Sequence, residues 1–129
     1  MPELPEVETV KKGLEEILVN KTIKNINLSG FSLRFPIPKN FVSLASGKKI
    51  LSIGRRAKYI LFSLSDNISI ISHLGMSGSY RILSYDESIS YKPNKHDHII
   101  FQFEDFKVVY NDPRRFGYIF ITDKDPNDH

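Results

Sequence analysis

Residues 59–83 read YILFSLSDNISIISHLGMSGSYRIL, three short apolar segments separated by two polar or glycine-bearing breaks. Tyr59 to Leu64, Ile68 to His73 and Ser79 to Leu83 are rich in β-branched and aromatic residues, and each is too short for a helix but has the length of a strand. Ser65-Asp66-Asn67 supplies residue types that hydrogen-bond their own backbone in turns. The same pattern extends outward to Lys21 to Leu28, Lys49 to Ile53, His98 to Phe103, Lys107 to Tyr110 and Tyr118 to Thr122. Eight strands at this spacing predict an antiparallel sandwich or barrel, with further turns at Glu104-Asp105-Phe106 and Asn111-Asp112-Pro113. Ser84 to Lys95 reads as a mobile surface loop. The polar end, Asp123 to His129, reads as a frayed segment more like a linker than a natural stop.

One helix precedes the strands. Val7, Val10, Leu14 and Leu18 recur at spacings of three, four and four and so line one face. Pro5 suits a first turn, where its missing N–H is no loss, and Glu6 and Glu8 complement the positive end of the helix dipole.

The 129 residues are 40% hydrophobic and 26% charged, the composition of one ordinary folded domain large enough for its own core. There is no cysteine, which excludes disulfides and thiolate-ligated zinc or iron–sulfur sites within the chain and fits a reducing compartment. The longest apolar run, Ile68 to Leu74, is far short of the ~20 residues that span a bilayer. The acidic, proline-punctuated start is unlike a signal peptide, so the sequence predicts a cytoplasmic protein. Residues 1–60 hold 11 Lys/Arg against 5 Asp/Glu, and residues 61–129 hold 7 against 10. The basic excess is therefore regional. A patch facing a polyanion and a solvated surface both account for it.

Several clusters could carry chemistry. Removal of Met1 would leave Pro2 as a secondary amine with a pKa of about 8, against about 10.4 for lysine, so part of it is nucleophilic near neutrality. Such an amine attacking a sugar C1′ gives an iminium ion directly. Glu3 beside it, and Glu6 one helical turn on, could divide proton donation and positioning; taken alone, a Pro at position 2 is usually a neutral consequence of N-terminal processing. Arg55-Arg56-Ala57-Lys58-Tyr59 sits at a predicted hairpin or bend, either as a solvated turn or as a phosphate-holding cluster in which Lys58 moves protons. His73-Leu74-Gly75-Met76-Ser77-Gly78 exposes Met76 on a tight turn, and Asn111 to Gly117 presents Arg114, Arg115 and Phe116 together. Apolar wedges beside arginine unstack duplexes, although Phe116 could instead fold back onto the core. His96 and His98 share one face if extended, but no third metal ligand is apparent.

Taken together, MPELPEVETV at 1–10, RRAKY at 55–59, HLGMSG at 73–78, KHDH at 95–98 and DPRRFG at 112–117 closely resemble the bacterial formamidopyrimidine-DNA glycosylase family. The blocks occur in family order and span the chain. The resemblance implies a mainly β N-terminal catalytic domain, an antiparallel eight-stranded β-sandwich with an N-terminal α-helix. It implies base excision repair of 8-oxoguanine and formamidopyrimidines in damaged double-stranded DNA, by a monomer, through N-glycosylase and β,δ-elimination lyase chemistry. Pro2 would form the Schiff base, Glu3 would be the acid, Glu6 a supporting carboxylate and Lys58 the proton donor in elimination. His73, His96 and Arg114 would contact DNA, while Met76, Arg114 and Phe116 would fill the gap left by a flipped lesion. Family members continue into a helix-two-turn-helix region and a four-cysteine zinc finger, neither of which this chain contains. The expectation is that the chain alone is weakly active or inactive and binds no metal cofactor. An endonuclease VIII-like preference for oxidised pyrimidines and a non-catalytic DNA-binding fragment are the alternatives.

Overall fold

The computed structural model of the chain describes residues 3–29 and 33–123. Helix α1 (Leu4–Leu18) is followed by strand β1 (Asn25–Leu28), helix α2 (Phe41–Ala45), β2 (Ile50–Arg56), β3 (Tyr59–Leu64), β4 (Ser69–His73), β5 (Ser79–Leu83), helix α3 (Tyr85–Ser90), β6 (Asp97–Gln102), β7 (Lys107–Asn111) and β8 (Tyr118–Thr122). The strands form two four-stranded antiparallel sheets, ordered β1-β6-β7-β5 and β2-β3-β4-β8. Of the sandwich and the barrel, the chain adopts the sandwich.

The alternation in the sequence explains which faces meet. In β3, Ile60, Phe62 and Leu64 are buried while Tyr59, Leu61 and Ser63 are half-buried. Ile60, Phe62, Ile70 and Ile119 of the second sheet share one core with Ile26, Ile99, Phe101 and Val108 of the first. Each such side chain contributes roughly 1.5–3 kcal/mol on full burial. Helix α1 adds Val7, Leu14 and Leu18 to that core. It runs antiparallel to β2: Glu8 near its N-terminus binds Arg55 at the strand's end, and Asn20 just past its C-terminus donates to the carbonyl of Ile50 at the strand's start.

The strand register sorts the connections into two rims. Arg56 pairs with Tyr59, Tyr59 with His73, and His73 with Tyr118. Ser79 pairs with Asn111, and Asn111 with Asp97. The N-terminus of α1, the β2–β3 hairpin, the β4–β5 turn, the β7–β8 loop and the entry to β6 therefore all lie at one end of the sandwich.

Two local expectations are corrected, and one element is added. Ser84 to Lys95 is not an irregular loop throughout: Tyr85–Ser90 is helical, with the Ser84 hydroxyl accepting from the Glu87 amide and the Glu87 carboxylate accepting from the Ser84 amide. The strand read over Lys21 to Leu28 is confined to Asn25–Leu28, with Thr22 making only an isolated bridge to Lys49. Helix α2, five residues long, is too short to show a period in sequence. The predicted tail beyond Asp123 lies outside the described residues.

Candidate nucleic-acid interface and active site

Pro2 lies outside the described residues, which begin at Glu3. Glu3 occupies the N-cap position of α1 in extended backbone, exposed, with its carbonyl accepting from the Val7 amide at 3.0 Å. Pro5 sits in the first turn, as its missing N–H favours. Glu6 is in the same turn and exposed. One turn further, Glu8 accepts from Arg55 Nε at 2.9 Å, and this pair ties the helix start to the end of β2. The Arg55 guanidinium beside it holds the Glu8 carboxyl below its ordinary value.

Beyond Arg55 the chain reverses through Ala57 and Lys58, with Ala57 at φ 51° and its carbonyl accepting from Arg55 Nη1 at 3.0 Å. Lys58 is half-buried at this tip. Its ammonium also reaches His73 electrostatically. Burial first, and the Lys58 charge second, hold the His73 imidazole below its ordinary pKa. The Gly75 amide donates to His73 Nδ1 at 3.0 Å, so the neutral ring carries its proton on Nε2. His73 is stacked on Tyr118 (centroids 4.9 Å, 3° between planes), and the Tyr118 hydroxyl meets that of Tyr59 at 2.7 Å. Burial and this contact push the Tyr118 phenol up to about 12.

The two loops beyond His73 and before Tyr118 are in backbone contact. A Cβ on Gly75 would lie 2.8 Å from Gly117 Cα, and one on Gly117 would lie 2.8 Å from the His73 carbonyl. From these loops Met76 projects 46% exposed and Phe116 37% exposed, so Phe116 does not fold back into the core. The Arg114 guanidinium lies over the Phe116 ring at 5.6 Å. His96 leads into β6 half-buried, its carbonyl accepting from the Asp112 amide at 2.9 Å. His98 is buried, with Nε2 donating to the Asp112 carbonyl at 2.9 Å. The His98 ring thereby serves the loop framework, which His96 joins through its backbone carbonyl. Among the described residues no group of three His, Cys, Asp or Glu could hold a metal ion.

The rim also contains residues that the sequence reading missed. Arg34 donates its amide to the Arg115 carbonyl at 2.9 Å and lays its guanidinium over both Phe35 (6.0 Å) and Phe116 (5.7 Å). Phe35, 53% exposed, meets Tyr118 edge-on at 5.7 Å. No period marks this segment. Ser77 and Asp112, read only as turn residues, carry the hydrogen bonds between the two loops. Among the described residues no helix is long and apolar enough to cross a membrane.

Residues 1–119 match the family model described as the formamidopyrimidine-DNA glycosylase N-terminal domain. The formamidopyrimidine-DNA glycosylase of Allorhizobium ampelinum is 44% identical over 137 residues, covering 96% of this chain and 46% of the relative. That of Bartonella henselae is 48% identical over 132 residues, covering 95% and 45%. Among solved structures, a Lactococcus lactis Fpg complex with DNA containing an abasic site superimposes with a TM-score of 0.83 at 35% identity, covering 94% of this chain and 44% of that one. A second, with DNA containing FAPY-dG, gives 0.81 at 36%, covering 92% and 43%. The chain thus spans a little under half the length of the relatives it matches. It belongs to the formamidopyrimidine-DNA glycosylase family, matching that family's N-terminal domain.

Proposed function

We propose that this chain is the catalytic half of a DNA glycosylase and abasic-site lyase acting on oxidised purines in duplex DNA. The observation that carries the reading is the single rim on which the α1 N-terminus, Lys58, His73, Met76, Arg114 and Phe116 converge. In this family, solved relatives are held with DNA bearing an abasic site or FAPY-dG.

With Met1 removed, the Pro2 nitrogen attacks C1′ of the damaged nucleotide while Glu3 protonates the sugar or the departing base. The glycosidic bond breaks as the Pro2 N–C1′ bond forms with loss of the amine proton, and the C1′–O4′ bond then opens, O4′ taking a proton from Glu3, to leave a ring-opened iminium. The iminium acidifies the C2′ hydrogen, whose loss expels the 3′ phosphate; Lys58 serves as proton donor, and a second elimination releases the 5′ phosphate. Glu6 supports the charge distribution around the amine. Arg114 and His96 hold the duplex, His73 lies near the phosphates, and Met76, Arg114 and Phe116 occupy the space of the extruded nucleotide. Filling that space offsets the few kcal/mol of lost stacking. The protein would act as a monomer in the cytoplasm.

Single-turnover incubation of the 129-residue chain with duplexes containing 8-oxoguanine or a preformed abasic site tests the reading. Slow nicking of the abasic duplex that disappears in Lys58→Ala, with little excision of 8-oxoguanine, is the expected result. Absence of nicking and of any DNA-bound species at low salt would overturn it.

A further inference from the structure

The carboxylate of Asp112 is fully buried where the β4–β5 turn meets the β7–β8 loop. Oδ1 accepts from the Ser77 hydroxyl at 2.7 Å and the Arg115 amide at 3.1 Å. Oδ2 accepts from the Gly117 amide at 2.8 Å and the Tyr110 hydroxyl at 3.2 Å. The Ser77 hydroxyl in turn accepts from the Arg114 amide at 2.9 Å. A buried carboxylate is tolerated only when its lone pairs are satisfied, and here four donors satisfy them.

Where those donors come from gives the network its meaning. Three of the four belong to the loops that carry Met76, Arg114 and Phe116, and they join residues 35 positions apart in the chain. Arg115 stands at φ 62°, in the left-handed region that non-glycine residues avoid, and its amide is held there by Asp112 Oδ1. Its carbonyl receives the Arg34 amide, which brings a second guanidinium onto Phe116. The spacing of these side chains is set by the backbone beneath them, with the Arg34 and Arg114 guanidiniums packed on the Phe116 ring above it. A wedge ordered in advance avoids the entropy of ordering it on contact with DNA.

We propose that Asp112, with Ser77 as its bridge, is a positioning residue that locks the Met76 turn to the Arg114–Phe116 loop, so that these side chains enter a duplex as one preformed wedge. The proposal rests on the DNA reading above.

Two measurements on the 129-residue chain test it. In the free protein, Ser77→Ala speeds hydrogen exchange of the Arg114 amide about tenfold, and Asp112→Asn, whose amide keeps a single acceptor oxygen, does the same for Arg115 or Gly117, the scale of one lost hydrogen bond. Amides of Phe62 and Ile70 keep their rates, and Ser77→Thr, which retains the hydroxyl, restores the Arg114 rate. With an abasic-site duplex carrying 2-aminopurine opposite the gap, Met76→Ala and Phe116→Ala each reduce the fluorescence change, and together reduce it no further than one alone. In the Ser77→Ala background the two reductions become independent. Unchanged exchange at Arg114, Arg115 and Gly117, or independent reductions in the wild type, overturns the lock and leaves the DNA reading standing. A wild-type chain that gives no fluorescence change overturns the wedge and the DNA reading together, even where exchange shows the lock.

Discussion

Gly75 and Gly117 meet backbone to backbone, so closely that a Cβ on Gly75 would overlap the amide nitrogen of Gly117. Gly75 also stands at φ 63°, where any side chain is strained. Gly117 is packed against the Tyr110 hydroxyl and lies with its would-be Cβ 2.7 Å from Asp112 Oδ2. Gly117→Ala should therefore cost ~1–3 kcal/mol by overpacking, measured as a lowered urea midpoint at unchanged slope. Gly54→Ala, where a Cβ meets nothing within 4 Å, should stay within about 0.5 kcal/mol of wild type.

The His73 imidazole predicts a pH dependence. Burial and Lys58 depress its pKa below the ordinary 6.5, and protonation at Nδ1 would break the bond from the Gly75 amide. The folded state thus binds this proton less readily than the unfolded chain. The His73 contribution is fully present above the unfolded value of 6.5 and is lost as pH falls from there toward the depressed folded value. Urea midpoints at a series of pH values should show stability falling over that window. His73→Phe should flatten the fall, and an equally steep fall in the variant would assign it elsewhere.

The Tyr59–Tyr118 hydroxyl contact makes a separate prediction. Burial first, and the hydrogen bond and charge of Tyr59 after it, push the Tyr118 phenol up to about 12; Tyr59→Phe removes the Tyr59 contributions, so its titration should move down toward the ordinary phenol value of 10. Absorbance at the phenolate band reads the shift, and an unmoved titration would leave burial as the whole cause.

Much of this was legible in advance, and the rest has identifiable reasons. The strands between Tyr59 and Thr122 announce themselves because one face is buried, as in Ile60, Phe62 and Leu64. Helix α3 carried a visible signal, Ser84 followed three residues later by Glu87, that the loop-like composition around it obscured. The N-terminal strand reads as longer than it is because Lys21 to Lys24 alternates but splits its backbone hydrogen bonds between residues 47–50 and Gln102, forming only an isolated bridge at Thr22 and no continuous ladder. The chemistry-bearing blocks could be recognised one by one, but their meeting on one rim depends on pairings such as His73 with Tyr118. Asp112 looked like a turn former because its partner Ser77 lies 35 residues away.

If the rim faces DNA, binding to an abasic-site duplex should weaken steeply with salt. Each phosphate contact adds roughly −0.9 to the slope of log K against log salt, and Arg114→Ala should lower that slope by about one. A salt-independent affinity would place the contact elsewhere.

The central claim is that Pro2 carries the covalent chemistry, and borohydride trapping tests it most directly. The N-terminal mass is checked first, since a retained Met1 blocks the amine. The chain with a free Pro2, mixed with abasic-site DNA and reduced, should yield a covalent complex that is weakened in Pro2→Gly and absent when the N-terminus is tagged. No adduct from a chain with a verified free Pro2 would contradict the account.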